Sequence, residues 1–155
     1  MAKTALKKAA EYEQYFQELG NKPETKIFDT MKDVFMFAVT LGFCKGKRVA
    51  FQKSGGDDIS LRFFRDEDES IFNIIALTDT GEMSILLPDD EYREKKYKIV
   101  EEYANGGMII MAEEFCKPIV DEGAFRRFVE TFEDTSGEQQ KTSLEDILQK
   151  AMESI

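Results

Sequence analysis

The chain contains no histidine. That absence removes Ser-His and Cys-His nucleophiles and every His-ligated metal site. Two cysteines remain, Cys44 and Cys116, isolated from one another and without metal-ligand spacing. Lys45 and Lys47 beside Cys44 favour a thiolate, but Cys44 follows an apolar run. Both thiols are therefore expected to be reduced and buried, as in a cytoplasmic protein.

Carboxylates are plentiful, in runs at Asp66–Glu69, Asp89–Glu91 and Glu101–Glu102. Acid–base catalysis needs carboxylates driven to different pKa values by burial. These runs fall on polar faces and are expected to be solvated. "PDDEYREKK" shares Asp89, Glu94 and Lys96 with a PD…ExK nuclease signature. In such nucleases the two halves normally lie on neighbouring strands with a longer separation, whereas here they are nearly contiguous in a helical pattern. Gly55–Gly56 and Gly106–Gly107 lack the Lys-Ser/Thr that follows in a phosphate loop. The residues thus name no catalytic group, no cofactor-binding group and no metal ligand, and predict a protein that is not an enzyme.

Charge gives a different lead. With 31 acidic and 21 basic residues the formal net charge is -10. Such a surface repels phosphate backbones and argues against a broad nucleic-acid footprint. Yet between 45 and 65 the balance reverses: Lys45, Lys47, Arg48, Lys53, Arg62 and Arg65 oppose only Asp57 and Asp58. Either this is a strand edge guarded by charge, or it is a docking face for an acidic partner or for nucleic acid.

The elements that must hold these groups follow from periodicity. Residues 3–19 predict a helix with Leu6, Ala9, Ala10, Phe16 and Leu19 on one stripe and Gly20 just past its end. A second helix is predicted over 24–41, ended by Gly42. Its apolar residues surround it, so it is the central core helix. The run Val34–Cys44 is too short for a membrane span, which needs about 20 apolar residues. "KRVAF" and "ISLRFF" flank the turn Ser54–Asp58 and predict an antiparallel hairpin, 47–53 with 59–64. A third helix starts at the acidic run 66–69 and closes at Gly81, burying Ile71, Phe72, Ile74, Ile75 and Leu77. "EMSILLP" suggests a short strand. "DDEYREKKYKIVEEYA" is an exposed amphipathic helix with Tyr92, Tyr97, Ile99, Val100 and Tyr103 inward. Asn105-Gly106-Gly107 is a turn, and further helices cover "MIIMAEEFC", stopped by Pro118, and "GAFRRFVETF".

Residues 1–134 then form one mainly helical domain, an α+β bundle with one small hairpin near 47–64. Residues 135–142 are a polar linker. Residues 143–155 form an amphipathic helix whose stripe is Leu144, Ile147, Leu148, Ala151, Met152 and Ile155, with Ser143 as its cap. This helix is too regular to stay in water: it either packs on its own domain or is a docking element for a partner or for a second copy.

Three stretches, "IFDTMKDVFMFAVTLGFCKGKRVAF", "NIIALTDTG" and "IVEEYANGGMIIM", resemble the small DNA phosphorothioation-associated proteins called Dnd system-associated protein 4. The order of marks matches over 24–112, including Gly46-Lys47-Arg48 and Asn105-Gly106-Gly107. The first twenty residues and the tail from Asp121 carry no matching motif. The resemblance implies a genetic context: bacterial machinery that places sulfur in the DNA backbone, or the restriction components that spare DNA so marked. It implies an accessory role in defence and supplies no catalytic residue.

The leading expectation is a non-enzymatic adaptor that acts by protein–protein contact with a modification or restriction subunit. A DNA-associated regulator using the basic segment, or an acidic DNA mimic that inhibits a partner, are the competing readings. No cofactor and no membrane are expected, and the location is cytoplasmic.

Overall fold

A long central helix crosses an apolar one, and the rest of the chain wraps this pair. The computed structural model describes residues 3–153, and for 132–147 the backbone only. Its helices are α1 (Glu13–Gly20), α2 (Met31–Cys44), α3 (Asp66–Thr80), α4 (Asp90–Met111) and α5 (Glu122–Glu153). Two short strands, β1 (Ala5–Leu6) and β2 (Ile59–Ser60), pair antiparallel with Ala5 opposite Ser60. The class is as the sequence predicts: mainly α with one small antiparallel sheet.

α2 begins later than its periodicity suggests. The Thr30 hydroxyl caps it, accepting from the Asp33 N–H at 3.2 Å, and so satisfies one of the donors a helix start leaves unpaired. Val34, Phe35, Ala38, Val39 and Leu41 are buried. Gly42 lies within α2 and does not end it. A Cβ there would collide with the Tyr103 carbonyl oxygen, and the Gly107 nitrogen lies at 2.9 Å.

The same contact explains why Asn105-Gly106-Gly107 is not a turn. All three are buried inside α4. A Cβ on Gly107 would strike the Ala38 carbonyl oxygen, and one on Gly106 would strike that of Lys47. Glycine is used here so that two backbones can touch. Its helix-breaking tendency of about 1 kcal/mol per residue is outweighed by the packing that the crossing allows. α4 is amphipathic as predicted in its first half, where Asp90, Glu91, Glu94, Lys95 and Lys98 are exposed, but from Ile99 to Met108 every residue is buried. It continues through a π turn, Ala112–Cys116.

The strand pairing differs from the predicted hairpin. β2 pairs with the N-terminal β1 and not with 47–53. Residues 3–9, predicted helical, form an extended strap. The Ala10 N–H donates to the Lys53 carbonyl, the Gly55 N–H to that of Lys8 and the Leu61 N–H to that of Thr4. β-Branched and aromatic residues marked 59–64 as a strand, but only Ile59–Ser60 is one, Leu61–Phe63 being a 3-10 turn, and composition could not name its partner. Residues 47–49 instead lie along α4, with the Val49 N–H donating to the Glu102 carbonyl and Asn105 Nδ2 donating to the Val49 carbonyl at 3.1 Å.

α3 ends as predicted at Gly81, which takes φ 69° and donates its N–H to the Leu77 carbonyl at 2.7 Å. It buries Phe72, Ile75 and Ala76 and leaves Ile71 and Ile74 exposed, because it lies on α4 by one face only. "EMSILLP" forms a 3-10 turn, Met83–Leu86, not a strand.

The backbone of 135–142, predicted as a linker, is helical within α5. Glu, Gln and Lys in that stretch are good helix formers and outweigh a single glycine. Ala124, Phe125 and Phe128 seat the start of α5 on the core. The Phe125 ring meets Phe115 edge-on at 5.0 Å and Phe28 at 5.5 Å.

Candidate interaction surface

Much of the charge that looked solvated is structural. The Arg48 side chain is 38% exposed and is held by two acids. Its Nη1 contacts Asp79 Oδ2 at 2.6 Å, and its Nε and Nη2 both reach Glu102 Oε1 at 2.8 Å. This ties the segment after α2 to the end of α3 and to α4. Tyr103 completes the knot, donating to Asp79 Oδ1 at 2.7 Å. Burial and that carboxylate push the Tyr103 hydroxyl up to about 12.

A second knot joins α3 to α4. Lys96 Nζ donates to Glu69 Oε1 at 2.6 Å and to Asn73 Oδ1 at 3.0 Å, and the Tyr97 hydroxyl donates to the same Glu69 oxygen at 2.7 Å. Burial first, then Glu69, raises Tyr97 to about 12. Lys96 is thus spent on α3 and forms no pair with Asp89 or Glu94, as the nuclease signature would require.

A third group holds the strap. Glu101 Oε2 accepts the Lys7 N–H at 2.6 Å and faces Lys3 Nζ at 3.0 Å. Its burial raises its pKa against the opposing pull of Lys7 and Lys3. Lys8 is 3% exposed. It pairs with Glu13 at 2.7 Å and lies over the Phe16 ring. Asp68 is desolvated, yet the Arg65 N–H and Lys32 hold its pKa below the ordinary value. Lys32 Nζ sits 2.6 Å from it and bridges α2 to α3.

Glu101 and Glu102 correct the expectation that the acidic runs are solvated, because both are buried. Asp66 and Glu67, and Asp89 through Glu91, are exposed as expected. Cys116 is fully buried and pushed up to about 12 by desolvation and by Glu18, so it is an inert thiol. Cys44, expected to be buried, is exposed, because the last residue of α2 faces outward. No group of three or more potential metal ligands occurs among the described residues. No described helix is long and apolar enough to cross a membrane.

The predicted interaction residues divide. Lys45, Lys53, Arg62 and Arg65 are exposed, Lys47 is half-buried, and Arg48 is held in its knot. Arg62 stacks over Phe63, 5.3 Å from the ring centroid, and Phe63 is itself 57% exposed. On α5, Leu148 and Met152 are exposed and Ala151 is half-buried. The side chains of Leu144 and Ile147, and all of Ile155, lie outside the described residues. The hydrophobic run 83–88, which the sequence suggested as a strand, exposes Met83, Leu86 and Leu87. Its signal in the sequence was an apolar cluster bounded by Gly81 and Pro88 and too short for a strand with two partners.

A family model for DNA sulphur modification system-associated protein 4 matches residues 6–148. The chain belongs to that family. The match extends the resemblance seen in 24–112 toward both ends, taking in residues 6–9 of the strap and most of α5. Neither the curated proteins nor the solved structures compared with the chain gave a match. Membership gives the DNA sulphur modification system as this protein's association. The family's recognisable marks have structural roles: Gly107 permits the α2–α4 contact, Gly106 lets the Lys47 backbone lie against α4, and Arg48 locks the chain that follows α2.

Proposed function

We propose that the protein is a non-enzymatic accessory subunit, an adaptor that acts by protein–protein contact within a DNA sulphur modification or linked restriction assembly. The family match over 6–148 carries this reading. The disposition of charge supports it: Arg48, Lys96, Glu101 and Glu102 join elements of the fold. The docking surface is the C-terminal part of α5, where Leu148 and Met152 face water, together with the outward cations Lys53, Arg62 and Arg65. Two large apolar side chains at i and i+4 are the anchors of a helix laid into a partner's groove. The partner is a larger protein subunit of the modification or restriction complex.

The test is affinity capture of the full chain, at physiological salt and after nuclease treatment, from a host that carries such a system. Stoichiometric recovery of a subunit of that system supports the adaptor. Recovery of nucleic acid alone, lost on nuclease treatment, overturns it in favour of the DNA-associated regulator.

A further inference from the structure

α5 is one unbroken helix from Glu122 to Glu153. It carries two apolar stretches, and its backbone fixes how they face each other. The first is its seat, where Ala124, Phe125 and Phe128 pack on the core. The second is exposed, with Leu148 at 62% and Met152 at 70%.

An α-helix turns once in about 3.6 residues and rises about 1.5 Å with each. Met152 follows Phe125 by about seven and a half turns, and Leu148 follows Phe128 by about five and a half. Each half-turn remainder puts the outer residue on the opposite face of the helix from the seat. Leu148 also stands about 30 Å beyond Phe128 along the axis. While the helix stays whole, the outer stripe faces away from the domain that seats the inner one.

A second copy is a poor occupant for that stripe. The strip 144–153 is about 15 Å long and 10 Å wide. Against its twin it would cover roughly 300 Å² a side, well short of the ~800 Å² a side of a stable interface. The stretch between the stripes, "EDTSGEQQKTS", offers no apolar seam to lengthen such a pairing. A groove that wraps the same residues covers several faces of the helix at once. Glu145, Asp146 and Glu153 oppose only Lys150 along the strip, so the complementary rim is cationic. Direction matters because the body of the protein lies on the seat side. A large partner on the opposite face passes the body, whereas one on the same face meets it.

We propose that α5 is a rigid arm that presents its outer stripe, about 30 Å from its seat and half a turn round from it, to an apolar groove with a cationic rim on the partner subunit. This rests on the adaptor reading and adds that the polar stretch is a helical spacer of fixed length and phase.

Two measurements test the arm. On the chain alone, spin labels at Arg127→Cys and Gln149→Cys, with Cys44→Ser, read the spacer by dipolar spectroscopy. A helix gives one sharp distance of about 33 Å. A broad spread near ~26 Å, that of a flexible chain of the same length, overturns the arm. The second measurement uses the purified subunit recovered by the affinity capture above. Ala-Ala or Ala-Ala-Ala-Ala is inserted between Gln139 and Gln140. Two residues turn the stripe by about 200°, and four by only about 40°. Both variants should keep the parent's melting temperature, since the seat is untouched. The shorter insertion is expected to weaken the complex at least about tenfold and the longer less than about threefold, the loss set by phase and not by length. Equal losses, or a greater loss for the longer insertion, overturn the arm and leave the adaptor standing. No complex for the parent chain overturns the adaptor and the arm with it. Glu153→Lys should weaken the complex and Lys150→Glu should not, and the reverse order overturns the cationic rim.

Discussion

Replacing Gly107 with alanine sets two effects against each other. In the interior of a helix the change should stabilise by about 1 kcal/mol, from propensity alone. At this position the new methyl meets backbone: the Ala38 carbonyl oxygen is in collision and Ala38 Cα lies at 2.9 Å. A side chain could rotate away, but a helix carbonyl cannot. α2 and α4 must separate, and Val34, Phe35, Val100 and Met108, all fully buried, lose contact with them. Overpacking a core typically costs about 1–3 kcal/mol, and more when backbone must move. The net expectation for Gly107→Ala is a loss of about 2 kcal/mol or more. For a chain of this length that lowers the melting temperature by roughly 4–8 °C, at about 2–4 °C per kcal/mol. Gly123→Ala is the control. Its Cβ would meet only the ends of the Asp121 and Arg127 side chains, at 3.3 and 3.4 Å, so it should be neutral or slightly stabilising. Urea unfolding followed at 222 nm measures both. Gly107→Ala as stable as the parent would refute the helix contact and restore Asn105-Gly106-Gly107 as a flexible element.

Phe35→Ala should cost about 3–5 kcal/mol, since Phe35 is fully buried and meets Phe64 edge-on at 6.0 Å; an unchanged melting curve would place the core elsewhere. Arg48→Ala should destabilise by about 1–3 kcal/mol, because it leaves the buried Glu102 without its donor, whereas Lys53→Ala should stay within about 0.5 kcal/mol as a surface change. Alkaline stability should fall steeply: Tyr97 and Tyr103 ionise at about 12 when folded and at 10.0 otherwise, so their contribution is complete below pH 10 and is lost as pH rises from 10 toward 12. A Tyr97→Phe, Tyr103→Phe double variant should flatten that slope in melts taken at pH 9 to 11.5, and an unaltered slope would show that the two hydroxyls are not held by Glu69 and Asp79.

Local pattern carried much of the fold. The apolar run of α2, the acidic start and Gly81 stop of α3, and the inward Tyr97, Ile99 and Val100 of α4 were all legible, because each depends on neighbours in sequence. What failed depends on partners distant in the chain. Gly42 and Gly107 look like helix stops in isolation and are helix contacts together. Lys3–Ala9 has helical spacing, but backbone partners from Lys53 to Leu61 and the Glu101 carboxylate hold it extended. Arg48 belongs to a run of cations that looks like one surface, yet Asp79 and Glu102 tie it to the fold. Glu101 and Glu102 sit in an acidic stretch that sequence cannot distinguish from solvated carboxylates, since it is distant segments, the strap at Glu101 and Arg48 at Glu102, that meet them in the fold.

The adaptor role is tested most directly by reconstitution with the purified subunit recovered by affinity capture. Full chain and a chain ending at residue 135 would be mixed with it and measured by light scattering on a sizing column. Ala124, Phe125 and Phe128 remain in the shorter chain, so it should stay folded, with a melting temperature close to the parent's. The predicted result is a defined complex for the full chain and none for the shorter one. A complex of equal affinity formed by both chains would remove α5 as the docking element. No complex for either, with salt-dependent binding of the full chain to DNA instead, would contradict the adaptor function.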